Sequence, residues 1–113
     1  MNEDAEKLKG FLFRIINEHK AACRKHPDFC EALLDPESRV SWAESEFRIK
    51  ARNLFTKEWY ADNVLMEEVA EAFSAYSNGE LDNALHEFAQ VGAVAIRCMS
   101  FVMAEKLKRG NHG

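Results

Sequence analysis

Five acidic or amide side chains in the second half of the chain have the types and the spacing to bind a divalent cation. Glu67, Glu68 and Glu71 lie close together, and Glu87 and Gln90 follow after a short interval. On a helix, at about 100° per residue, the first three carboxylates share one arc of the surface. Such oxygen ligands suit Mg²⁺, which keeps several waters and takes substrate phosphate oxygens. Taken alone, the same arc is also typical of the solvated side of an amphipathic helix.

Glu87 is the most informative of these residues, because its neighbours on a helix are apolar. Residues 91–98 place apolar side chains on the same face, and residues 88–103 are apolar on nearly all sides. Such a helix should be central, or covered by another subunit. A carboxylate buried there needs a Lys or Arg, a proton or a metal ion to compensate its charge. A metal shared with Glu68 and Glu71 would do so, and a salt bridge to an unplaced basic residue is the alternative.

The elements that must position these residues are predicted to be helices. The two prolines and five glycines leave long stretches rich in Ala, Leu, Glu and Lys, which favours helices over a sheet. Pro27 and Pro36 mark breaks, residues 41–44 have the form of a capping box, and residues 77–79 are typical of a helix end. The predicted helices extend from about Asp4 to Arg24, from Ser41 to Phe55, from Trp59 to Tyr76 and from Leu81 to Lys108.

The predicted fold is therefore all-α: a helical bundle with a carboxylate-bearing helical hairpin formed by its last two helices. A chain of 113 residues is expected to form one domain, spanning residues 1–113. Because the last helix is apolar on both sides, one side should be covered by another subunit. We predict at least a dimer that completes the bundle.

The bulk composition excludes several classes of partner. A net charge of −4 argues against binding to a nucleic-acid polymer. No uninterrupted apolar run approaches the roughly 20 residues that cross a bilayer, so we expect no membrane partner. Three cysteines are an odd and sparse set, and the N-terminus does not resemble a signal peptide. These features indicate a reducing, cytoplasmic location.

The carboxylates also carry a family resemblance. Residues 67–71, EEVAE, match the EExxE half of the motif of MazG-like all-α nucleoside triphosphate pyrophosphohydrolases. The ExxD half corresponds to residues 87–90, EFAQ, so Gln90 stands where the family has Asp. Residues 58–65 and the apolar run after Gln90 also look like the family. The resemblance covers about residues 42–101.

The resemblance implies a Mg²⁺-dependent enzyme that hydrolyses a nucleoside triphosphate to the monophosphate and pyrophosphate in a house-cleaning role. It also implies a homodimer or homotetramer. A solvated or structural role remains the alternative for the three substrate contacts that it suggests. The implied metal ligands are Glu68, Glu71, Glu87 and Gln90, the implied catalytic residue that orients or deprotonates water is Glu67, and the suggested substrate contacts are Lys57, Trp59 and Arg97.

Gln90 leaves other functions open. A neutral amide can still bind Mg²⁺ through its oxygen, but it removes one negative charge from the site. One alternative is a non-catalytic helical dimer that binds nucleotide or protein on the same scaffold. Another is a purely structural helical adaptor, which would bind no metal.

Overall fold

The computed structural model describes residues 3–110, which form four α-helices and contain no strand. The predicted all-α class is confirmed, and each helix begins and ends within two residues of its predicted boundary. The helices are α1 (Glu3–Lys25), α2 (Trp42–Leu54), α3 (Ala61–Ser77) and α4 (Leu81–Gly110).

The chain divides into two compact units. The central unit, Arg39–Cys98, contains α2, α3 and the first part of α4. The terminal unit consists of residues up to Ser38 and from Met99 onward, with α1 and the last part of α4. All the predicted site residues lie in the central unit. The expectation of one domain over residues 1–113 remains a prediction.

Caps at the helix ends determine where the site residues fall. The Ser41 hydroxyl accepts a hydrogen bond from the Glu44 amide at 3.2 Å, as the predicted capping box requires. At the end of α3 the Glu80 amide donates to the Ala75 carbonyl at 3.0 Å, and Gly79 adopts a φ of 78°. A residue without Cβ adopts this left-handed conformation at little cost. The chain can therefore reverse direction and begin α4 at once.

The buried interior of the central unit consists of small or polar side chains. Within residues 39–98, no large apolar side chain is buried. An aromatic group links the three helices beside this interior: Phe73 stacks on Trp42 with ring centroids 4.6 Å apart and meets Phe88 edge-on at 5.3 Å. The buried residues are Asn53, Ala70, Ala72, Ser74, Ala75 and Ala84.

The terminal unit has a single buried residue, Phe11 of α1, among its described residues. The other large apolar side chains of α1, such as Leu12 and Ile16, are exposed. Apolar residues recur at helical spacing along α1, so this helix formed as predicted although its apolar side lies open to solvent. No predicted site residue depends on it.

Helix α4 is long and apolar. It contains an 18-residue window with a mean hydropathy of 1.3, none of which is buried. By length and composition alone α4 could cross a bilayer, but one such helix is weak support for a membrane span. The expectation of no membrane partner remains a prediction.

Candidate metal centre

Three glutamates of α3 form the centre of the candidate site. Glu67, Glu68 and Glu71 each offer a carboxylate oxygen, and these oxygens lie within 4.8 Å of one another. Among residues 3–110 they are the one group of three or more Asp, Glu, His or Cys side chains close enough to share a metal ion. All three are half-buried. The packing of α2 against α3 holds this face in position.

Helix α4 adds Glu87 and Gln90 to the same site. Glu87 lies near enough to Glu71 that the Glu71 carboxyl raises the pKa of Glu87. The Gln90 amide nitrogen, in the orientation that satisfies both ends of the amide, donates to Glu68 Oε2 at 2.8 Å and to Glu87 Oε2 at 3.2 Å. The hairpin thus gathers the five side chains that the sequence indicated. We call Glu67, Glu68, Glu71 and Glu87 the carboxylate cluster.

Glu87 is half-buried, which is more open than its apolar neighbours on α4 suggested. The reason is that most of that face of α4 is itself only partly covered in this chain. One side of Glu87 borders a polar cleft of about 300 Å³, which Lys50 and Glu71 also line. Glu87 therefore borders the cluster and a polar cleft rather than a deep apolar core.

Burial and mutual repulsion perturb two of the cluster carboxyls. Partial burial is the main cause that raises the pKa of Glu68, and the charges of Glu71 and Glu67 raise it further. The pKa of Glu87 is also raised, first by burial and then by its interaction with the Glu71 carboxyl and the charge of Glu68. The two raised pKa values mean that Glu68 and Glu87 resist ionisation, because each is partly buried among other negative charges. A bound cation would relieve this repulsion.

Lys50 of α2 supplies positive charge at one edge of the cluster. Its Nζ lies 3.3 Å from Glu71 Oε1 and 3.8 Å from Glu46 Oε1. Burial alone would lower the pKa of Lys50, but the hydrogen bond and charge of Glu71, with those of Glu46 and Glu67, raise it overall. Lys50 is therefore a fully charged neighbour of the cluster.

Asn53 of α2 holds the opposite edge. Its Nδ2 donates to Glu67 Oε1 and to the Asn63 carbonyl, both at 3.3 Å. The side chain is only 9% exposed, and within the described residues its buried Oδ1 has no hydrogen-bond partner. The two acceptors establish which end of the amide is nitrogen. Asn53 therefore orients Glu67 without adding charge.

Lys50, Asn53 and His86 were not indicated by the sequence. His86 Nε2 donates to the Gln90 carbonyl oxygen at 3.1 Å, so it contacts the cluster through Gln90. Asn53 left one detectable signal, because it follows Trp42 and Ile49 at helical spacing on one face of α2. Lys50 left none, since its spacing from Glu46 is typical of an exposed helical pair.

The predicted substrate contacts are less close to the cluster. Lys57 and Trp59 lie in the connection between α2 and α3, and Arg97 is exposed on α4. Trp59 is 78% exposed and lines a shallow surface crevice next to Asn53. In residues 3–110 no ion pair or hydrogen bond joins Lys57 or Arg97 to the cluster. The structure thus brings Trp59, but not these two cations, near a site residue.

The donor set suits Mg²⁺ in kind, because carboxylate oxygens are the ligands that this ion prefers. The α3 oxygens lie within 4.8 Å of one another, so all three are near enough to approach one ion. No family model matches this chain, and no curated protein or solved structure does either. The MazG-like resemblance therefore depends on residues 58–71 and 87–97 alone.

Proposed function

We propose that this protein is a Mg²⁺-dependent nucleotide pyrophosphohydrolase that cleaves a nucleoside triphosphate to the monophosphate and pyrophosphate. The observation that carries the proposal is the convergence of Glu68 and Glu71 with Glu87 of the next helix. Half-buried carboxylates gathered from two helices repel one another, which is a costly arrangement for a merely structural surface. The likeness of the two motif halves to the MazG-like family supports the same activity.

In this proposal Glu68, Glu71 and Glu87 hold Mg²⁺, and Gln90 completes the ligand set through its amide oxygen. Gln90 must rotate its amide to do so, because its nitrogen now faces the carboxylates. When bound, Mg²⁺ neutralises the phosphate charge that grows as the bond to the leaving group breaks. The polar cleft beside Glu87 gives the phosphate chain a place to lie.

Glu67 is the proposed general base. The Asn53 amide donates to Glu67 Oε1, which leaves the other carboxylate oxygen available to a water molecule. Glu67 takes a proton from that water while the water oxygen bonds to the α-phosphorus. The bond between the α-phosphorus and the bridging oxygen breaks, and pyrophosphate leaves with the electron pair. The substrate class is a non-standard or surplus nucleotide.

Of the suggested substrate contacts, Trp59 is the proposed stacking surface for the base, because it lies beside Asn53 and hence near Glu67. Lys57 and Arg97 are the proposed contacts to the phosphate chain, and each would have to extend toward the cluster to make them. A nucleic-acid polymer is not a proposed partner, because the chain is acidic. The three free cysteines support a reducing, cytoplasmic location.

We also propose that the protein is a homodimer or homotetramer. An apolar helix that is not buried within its own chain is typical of a surface that a second copy covers. Phe101 and Val102 of α4 are 76% and 65% exposed. Light scattering across a range of protein concentrations tests this, and a monomer mass at every concentration would contradict it.

The activity is tested by incubating the protein with a panel of standard and modified nucleotides and measuring pyrophosphate. Release that requires Mg²⁺ and stops with a chelator is the expected result. The Gln90→Asp variant, which restores the acidic ligand of the family, is assayed in parallel. Inactivity of both proteins across the whole panel would contradict the proposal.

One observation favours a second candidate, a non-catalytic helical dimer that binds nucleotide or protein. The Gln90 amide nitrogen donates to Glu68 and Glu87, so it supplies part of the positive charge that a metal would bring. Calorimetry with Mg²⁺ and a non-hydrolysable triphosphate separates the candidates, since tight binding without turnover favours the dimer. A purely structural adaptor would bind no metal and would tolerate Glu71→Ala.

A further inference from the structure

We infer that Lys50 is a built-in counter-cation of the carboxylate cluster, which competes with the divalent cation for Glu71 and is released toward the cleft when that cation binds. This inference rests on the proposed metal site. It adds a residue of α2 to a function that the motifs assign to α3 and α4 alone. It also makes metal binding and phosphate binding depend on one side chain.

The competition follows from the distance between Lys50 and a proposed ligand oxygen. Lys50 Nζ lies 3.3 Å from Glu71 Oε1, so the ammonium already holds an oxygen that the metal would use. A Mg²⁺ bound to the same oxygen would lie within about 5.4 Å of the ammonium. Two cations so close repel each other strongly where the surroundings are partly buried. The two cannot share Glu71 without a cost in affinity.

Lys50 has room to move when it is displaced. Its side chain is 48% exposed and lines the polar cleft of about 300 Å³. Glu46, one helical turn earlier, is a second acceptor at 3.8 Å that can keep the ammonium near the cleft. A lysine released at this point lies beside any anionic group bound by the metal. The phosphate chain of a nucleotide is the anion that the proposed function supplies.

A purely structural role for Lys50 predicts a different effect on metal affinity when Lys50 is replaced. If the ion pair only joined α2 to α3, its loss would leave metal affinity unchanged or lower it through a disturbed site. If Lys50 competes with the metal, its loss must raise metal affinity. The direction of the change therefore distinguishes the two roles.

The experiment is a calorimetric titration of the intact protein with Mn²⁺, a probe for the Mg²⁺ site, in the absence of nucleotide. For Lys50→Gln we expect binding about three- to tenfold tighter than wild type, a range that allows for the partial exposure of the pair. Lys50→Arg keeps the cation and should bind within about twofold of wild type. Arg48→Gln is the matched control: it removes one positive charge from the same helix, but Arg48 pairs with Glu44.

A second titration, with a non-hydrolysable triphosphate in saturating Mn²⁺, tests the release of Lys50. Lys50→Gln should bind the triphosphate about fivefold more weakly than wild type, because one charge-assisted contact is lost. Circular dichroism checks that each variant is folded. If Lys50→Gln is not, Lys50→Met replaces it, since Met retains an unbranched apolar stem.

Unchanged or weaker Mn²⁺ binding by Lys50→Gln overturns the inference, and so does an equal gain in Arg48→Gln, which would reflect net charge alone. If Lys50→Gln binds the triphosphate as tightly as wild type, the proposed release of Lys50 toward the cleft is overturned. In all three cases wild type still binds Mn²⁺, so the proposed function is untouched. Failure of wild type to bind Mn²⁺ would instead overturn the metal site and the inference together.

Discussion

The two edges of the carboxylate cluster are held in different ways by one helix. Asn53 donates a neutral hydrogen bond to Glu67, and Lys50 places a full positive charge against Glu71. The two residues are three positions apart on α2 and so face the same side of it. Asn53 is buried, whereas Lys50 is exposed.

The difference matters because the two glutamates have different proposed tasks. A base must be oriented but must keep its negative charge, and an uncharged donor allows both. A metal ligand must be kept stable until the metal arrives, and a displaceable cation provides that. In this proposal, two adjacent turns of α3 take on separate chemical roles because their partners on α2 differ. The following predictions test this division, from the largest expected effect to the smallest.

Neutralising Glu71, the glutamate that pairs with Lys50, should have the largest effect on activity. Glu71→Gln keeps the shape of the side chain but deprives the metal of a carboxylate, so we expect Mg²⁺-dependent pyrophosphate release to fall at least about a hundredfold. Glu105→Gln is the control, since Glu105 pairs with Arg109 outside the central unit. Activity of Glu71→Gln within a few-fold of wild type would remove Glu71 from the metal site.

Removing the neutral donor at the other edge should affect turnover more than binding. In Asn53→Ala, Glu67 loses the group that orients it, so we expect kcat to fall about 10- to 100-fold. Calorimetric Mn²⁺ affinity should stay close to the wild-type value, because Glu67 is not a proposed ligand. Asn17→Ala on exposed α1 is the control. A loss of Mn²⁺ affinity equal to the loss of kcat would show that Glu67 binds metal directly.

Gln90 tests whether the cluster lacks negative charge for metal binding. Gln90→Asp replaces a donor to Glu68 with a fourth carboxylate ligand, and we expect Mn²⁺ to bind about tenfold more tightly. Gln90→Asn, which stays neutral, should show no such gain. If both variants bind alike, charge at this position does not limit metal affinity.

The pH dependence of stability should be the mildest effect. The pKa values of Glu68 and Glu87 are raised in the folded chain, so their protonated forms favour the folded state. Stability from this source is fully present below the ordinary carboxyl pKa and is lost as pH rises through the raised values. In thermal melts without metal, Tm should be lower at about pH 8 than at about pH 5.

Two comparisons check the origin of that loss. Added Mg²⁺ should raise Tm more at the higher pH, where the carboxylates are ionised, and Glu87→Gln should flatten the pH dependence. A Tm that rises from the lower to the higher pH would contradict the assigned directions. If Glu87→Gln leaves the variation of Tm with pH unchanged, Glu87 is not its source.

The sequence predicted the helices well because their signals are local. The Ser41 cap and the turn at Gly79 involve contacts within a few residues, and both formed as expected. The meeting of α3 and α4 followed from the same turn, since a short connection leaves little choice of direction. The gathering of Glu71 with Glu87 was therefore predictable.

The contributions of α2 were not predictable in the same way. Lys50 and Asn53 act on residues more than ten positions away, and the pairing depends on how α2 is rotated against α3. The amphipathic pattern of α2 indicates which face of the helix packs inward. It does not indicate which residue of α3 each side chain on that face contacts. Glu87 was expected to be more enclosed because the apolar stripe of α4 predicts burial without specifying what covers it.

The alanine interior of the central unit bears on how precisely the oxygens can be placed. Alanine has no side-chain rotamers, so an added carbon at Ala72 or Ala84 cannot be absorbed by a change of conformation. It must move a helix backbone instead, and with it the acids that the backbone carries. The small size of these alanines thereby determines whether the carboxylates of α3 and α4 come close enough to bind the proposed ion together.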